Sequence, residues 1–79
     1  MKIPRDLSGR ELIKVLCRSW GYQQVHQVGS HVILETETPS HHRLAVPDHA
    51  TLRVGTLNGI LRVTAEAKRV TREAILDTL

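Results

Sequence analysis

Gly29-Ser30 stands between two runs of strand-like residues, and a connection this short joins strands that fold back on each other antiparallel. Gly29 supplies a backbone conformation that a residue with a Cβ resists. Beyond it, Val32-Ile33-Leu34 has the apolar, β-branched character of a strand. His31 falls where the turn becomes the strand. The sheet holds a residue there rigidly, and the turn leaves it reachable. Histidine changes charge near neutral pH, so a group placed in this way suits acid–base chemistry. An exposed polar turn residue is the plainer reading, because turns are rich in polar side chains.

The flanking patterns complete an outline. Ser8-x-x-Glu11 is a capping box, and Leu7 and Leu12 are placed to close a hydrophobic staple across it. Leu12, Val15, Leu16 and Trp20 recur at helical spacing, widened by Ile13 and Cys17, until Gly21 ends the helix. Arg10, Lys14 and Arg18 fall on a separate face and read as solvated charge. Gln23 to Val28 predicts a first strand, with Val25 and Val28 its apolar members; His31 to Glu37 predicts a second. Thr38-Pro39-Ser40-His41 is a turn by composition. His42 to Val46 predicts a third strand, stopped by Pro47. A loop from Asp48 to Gly55 then leads to a helix capped by Thr56, whose stripe of Leu57, Ile60 and Leu61 runs to about Thr64. Ala65 to Arg69 holds helix-forming residues without a strong apolar period, and Thr71 is placed to cap a last helix carrying Ala74, Ile75 and Leu79. The order α-β-β-β-α, with a helical tail, describes one α+β domain over residues 1–79: a three-stranded antiparallel sheet with helices on one face.

Several function classes are excluded or left without support. With 79 residues, and Trp20 and Tyr22 as the only aromatics, the core is small and aliphatic, which leaves little room for a large cofactor. No glycine-rich phosphate loop appears, so no cofactor is expected. Cys17 is the single cysteine, an apolar filler that suits a reducing cytoplasm. The start, Met1 to Asp6, lacks the apolar run of a secretory signal, and no stretch is long enough to cross a membrane. A net charge of +3 is compatible with a nucleic-acid partner and equally with ordinary solubilising charge. The five histidines are His26, His31, His41, His42 and His49. The adjacent pair His41-His42 points to opposite faces if it lies in a strand, and no paired ligand motif occurs, so no metal site is expected. Ser30 beside His31 is poor spacing for a nucleophile–base pair.

One chemistry suits so few groups. RNA carries its own nucleophile, the 2′-hydroxyl beside the scissile phosphate. A single histidine can move the proton, and arginines can hold phosphate oxygens. Arg43 on the third strand and Arg53 in the following loop are candidates for that second role, and each reads equally as an exposed solubilising arginine.

Three blocks add to this reading: Gly29-Ser30-His31 opening a strand, Val46-Pro47-x-His49, and Gly55-Thr56-Leu57-x-x-Ile60-Leu61. In order and spacing they resemble the HicA (YcfA-like) toxin family, over about residues 6–64. The resemblance implies a fold like the double-stranded-RNA-binding domain and the activity of a ribosome-independent mRNA endoribonuclease. It also implies neutralisation by a HicB antitoxin, and it makes His31 the catalytic residue. Substrate contacts are then expected from Gly29, Ser30 and His49 of the matching blocks, together with Arg43 and Arg53. The chain departs from the family in lacking a Gly-Leu-Ser turn before the final helix, where residues 64–70 stand instead. Two other readings remain open: a non-catalytic module that reads the shape of double-stranded RNA, and a protein-interaction domain that binds through its sheet.

Overall fold

The computed structural model describes Pro4 and residues 6–79, so most of the Met1–Asp6 start lies outside the described residues. Helix α1 (Gly9–Ser19) begins where its cap predicts. The Glu11 amide donates to the Ser8 hydroxyl at 3.0 Å, and that hydroxyl donates to the Glu11 carboxylate at 3.2 Å. Leu7 and Leu12, the staple residues, are both buried. Leu12, Ile13 and Leu16 carry the helix into the core, while Val15 stays half-buried at its margin. The Trp20 indole donates to the Thr78 hydroxyl at 3.1 Å and fastens the C-terminal segment to this helix.

Gly21, at φ +73°, turns the chain into a meander of β1 (Gln23–Val28), β2 (His31–Thr36) and β3 (His42–Pro47). The strands are antiparallel in the order β1-β2-β3, and Gly29 at φ +58° forms the first turn. Alternation decides the faces. Val32, Leu34, Thr36, Leu44 and Val46 are buried under the helices. His31, Ile33 and Glu35 point the other way, with Ala45 and Arg43 opposite Ile33 and Glu35 on the same open face. Two boundaries differ from expectation. β2 ends at Thr36, one residue early, and Pro47 is the last residue of β3 rather than a stop before it. β3 is an edge strand, where a proline at the end is tolerated.

Helix α2 (Val54–Lys68) corrects the sequence reading at both ends. Its N-cap is Arg53, not Thr56, and it runs through most of the stretch that lacked an apolar period. Its buried positions are Leu57, Ile60, Leu61, Thr64 and Ala65. They follow helical spacing, but the last two are small or polar and leave no apolar signal. Arg69 closes the helix in the left-handed region, at φ 58°. Helix α3 (Arg72–Leu76) is capped as expected, with the Ala74 amide donating to the Thr71 hydroxyl at 3.1 Å, and it plugs Ile75 into the core. Among the described residues, no helix is long and apolar enough to cross a membrane.

A polar cluster lies between the sheet and α2. The Tyr22 hydroxyl is 2.8 Å from His42 Nδ1, and Lys68 Nζ stands 4.8 Å from the centre of the Tyr22 ring. Lys68 also donates to the Thr36 hydroxyl at 2.8 Å. Burial, reinforced by the like charges of Lys68 and His41, holds the His42 pKa below its ordinary value. The unfolded chain therefore takes up this proton first as the pH falls. The stability contributed by neutral His42 is present above the unfolded pKa of about 6.5 and is lost as the pH drops through the lowered folded value. The melting temperature is expected to decline on acidification through that range. His42→Gln should flatten the decline, and an unchanged slope in that variant would refute the assignment. Exposed His41, whose pKa is raised mainly by its hydrogen bond to Glu37, acts in the opposite sense and is unaltered in this comparison.

Candidate active site

His31 is the first residue of the central strand, paired in register with Val28 of β1 and Pro47 of β3. Backbone on both sides fixes its position, and its side chain is exposed on the open face. Past Pro47 the strands stay together, with the Asp48 amide donating to the Ser30 carbonyl at 2.6 Å. Gly29-Ser30-His31 and Val46-Pro47-Asp48-His49, distant in sequence, thus lie side by side at one end of the sheet.

The N-terminus of α1 closes that end. The Gly9 amide donates to the His49 carbonyl at 2.9 Å, and the Leu52 amide to the Leu7 carbonyl at 2.8 Å. Arg10 Nη2 lies 2.6 Å from Asp48 Oδ2. The approach is close enough that a Cβ on Gly9 would stand 1.8 Å from the Pro47 carbonyl oxygen. The loop between β3 and α2 is therefore pinned at both Gly9 and Leu7. His49 uses its carbonyl in this packing and leaves its ring exposed. Arg53, also exposed, ends the loop as the N-cap of α2, where no side chain caps the helix and no acid stands in the first turn. Free amides at such a helix start favour anions.

The structure thus gathers Gly29, Ser30, His31 and His49, with Arg53 at the end of the same loop. Arg43 stands apart. It shares the open face of His31 but is paired with Glu35, four residues along β2, which is about 13 Å away at strand spacing. Its guanidinium lies 3.9 Å from the Glu35 carboxylate. Gly9, Arg10 and Asp48 escaped the sequence reading. Glycine in the first turn of a well-capped helix is a poor helix former and was a usable signal. The Arg10–Asp48 pair joins residues far apart in sequence and left none. Cys17 is set apart from this chemistry, because burial raises its thiol pKa and keeps it protonated.

An exposed imidazole on a fixed backbone, with Arg53 and an uncapped helix start on the adjoining loop, can move a proton close to a bound anion. No curated protein and no solved structure matches the chain significantly. Residues 9–65 match the family described as the HicA toxin of bacterial toxin–antitoxin systems. The matched stretch runs from Gly9 through all three strands to Ala65 of α2, and so contains every residue gathered around His31. With most of its length matched, the chain belongs to the HicA toxin family.

Proposed function

We propose that this toxin is an endoribonuclease that cleaves mRNA with His31 as its proton-transfer group. The observation that carries the reading is the placement of His31: exposed, at the start of the central strand, with the Val46-Pro47-Asp48-His49 segment paired beside it. The imidazole takes the proton of the 2′-hydroxyl as that oxygen attacks the adjacent phosphorus. The bond from phosphorus to the 5′-oxygen breaks, and the leaving oxygen takes up a proton from the imidazolium or from water. The products are a 2′,3′-cyclic phosphate and a 5′-hydroxyl. Gly29 and Ser30 let the backbone of the RNA approach, while Arg53 and His49 face its phosphates. Arg43, further along the strand, holds a neighbouring phosphate rather than the scissile one.

Cleavage is expected to stop when the scissile nucleotide lacks its 2′-hydroxyl, and mass spectrometry of the products should find the cyclic phosphate. A 5′-phosphate product would mean that activated water attacks instead. RNA binding without cleavage would favour the non-catalytic RNA-binding reading. Membership in a toxin family implies an antitoxin partner. In this reading the partner is HicB-like, meets the toxin in the cytoplasm, and silences it by covering His31 with acidic groups that complement the net charge of +3.

A further inference from the structure

At the far end of the open face from His31, the β2–β3 turn brings together three groups that the proposed cleavage does not use. Glu37 and His41 meet across the turn, with His41 Nδ1 2.8 Å from Glu37 Oε2. Glu35 is two residues before Glu37 on the same strand path and so shares its face. One donor atom from each of Glu35, Glu37 and His41 lies within 4.8 Å of the others. We propose that these three residues form a binding site for a divalent first-row transition-metal ion of the zinc type.

The donor chemistry argues for this class of ion. Carboxylates alone would suit magnesium or calcium, but an imidazole nitrogen in the set favours zinc, cobalt or nickel. Ligand distances of about 2.0–2.2 Å around such an ion put neighbouring donors about 3.5 Å apart. Exposed Glu37 and His41 can close the remaining gap by side-chain rotation alone. The backbone beneath them is held already. Lys68 Nζ donates to the Thr36 hydroxyl at 2.8 Å and to the Thr38 hydroxyl at 3.4 Å, on either side of Glu37. A metal ion would take the place of the His41–Glu37 hydrogen bond, with water completing its coordination. Arg43, 3.9 Å from Glu35, competes for one of the carboxylates and repels the cation.

The test is titration of the full chain with Co²⁺, read by its visible absorption, and with Zn²⁺, read by calorimetry. One ion per chain is expected. Disturbing a partner of a metal ligand typically costs about tenfold in affinity, and removing a ligand should cost at least that. His41→Ala and Glu37→Gln should therefore each weaken binding by about tenfold or more. Arg43→Met should tighten it, and His26→Gln should leave it unchanged. Circular dichroism checks that each variant is folded. Binding in His41→Ala within twofold of the parent would overturn the proposal. So would Mg²⁺ binding as tightly as Zn²⁺, or no stoichiometric ion at all. None of these readouts depends on RNA cleavage, so this site and the proposed nuclease stand or fall separately.

Discussion

His31→Ala is expected to reduce RNA cleavage by about 10²–10⁴-fold, the range that a positioned general acid–base group contributes. The fold should be untouched, because the side chain is exposed and its strand is held by backbone pairing with Val28 and Pro47. Exposed substitutions of this kind move stability by about 0.5 kcal/mol or less. The two measurements are cleavage of a fluorogenic RNA by purified protein and a thermal melt of the same sample. His31→Gln separates proton transfer from mere hydrogen bonding, since the amide can donate to a phosphate but cannot accept and release a proton near neutral pH. It is expected to be as inactive as the alanine variant. A folded His31→Ala protein that cleaves at the parent rate would sink the assignment.

Gly9→Ala is expected to destabilise the domain by about 3 kcal/mol, at the upper end of what overpacking costs. Glycine to alanine within a helix ordinarily stabilises by up to about 1 kcal/mol. The sign reverses here because the new methyl would stand 1.8 Å from the Pro47 carbonyl oxygen, which is backbone and cannot rotate away. Helix α1 must move off the end of β3, and the Gly9 bond to His49 and the Arg10–Asp48 pair are strained with it. Cleavage should fall too, as the loop beside His31 loses its anchor. Gly59→Ala supplies the contrast. Nothing lies within 4 Å of a Cβ there, so the ordinary gain is expected. Urea midpoints for the two variants should move in opposite directions, and a stabilised Gly9→Ala protein would refute the packing argument.

What the sequence disclosed followed the range of the interaction involved. The Ser8 cap, the Gly29-Ser30 turn and the alternation of β2 are local, written within a few residues, and the structure places them as read. The span of α2 was misread because Thr64 and Ala65 face the core without being markedly apolar, and because the helix starts on Arg53 without a side-chain cap. Convergence at the His31 end rests on contacts between distant segments: Asp48 with Ser30, Gly9 with His49, Arg10 with Asp48. No local pattern encodes such contacts. The first two family blocks marked residues that these contacts bring together, though nothing in their spacing revealed Gly9 or Arg10 as the supports. Arg43 shows the converse. Its residue type and strand position did not disclose its distance from His31: the register sets it four residues from the His31 row, opposite Glu35.

β1 is an edge strand, exposed along its whole length, and it contains no lysine, arginine or carboxylate. Val25 and Val28 are both exposed on it. Such a rim invites strands of other molecules to pair with it, and proteins commonly guard it with charge. Here the guard is an irregularity in the backbone. The register slips between Gln24 and His26, leaving Val25 without a partner and breaking the rim into two short pieces. An interruption of this kind disfavours continuous pairing along the rim, a device that works through one extra residue rather than through charge.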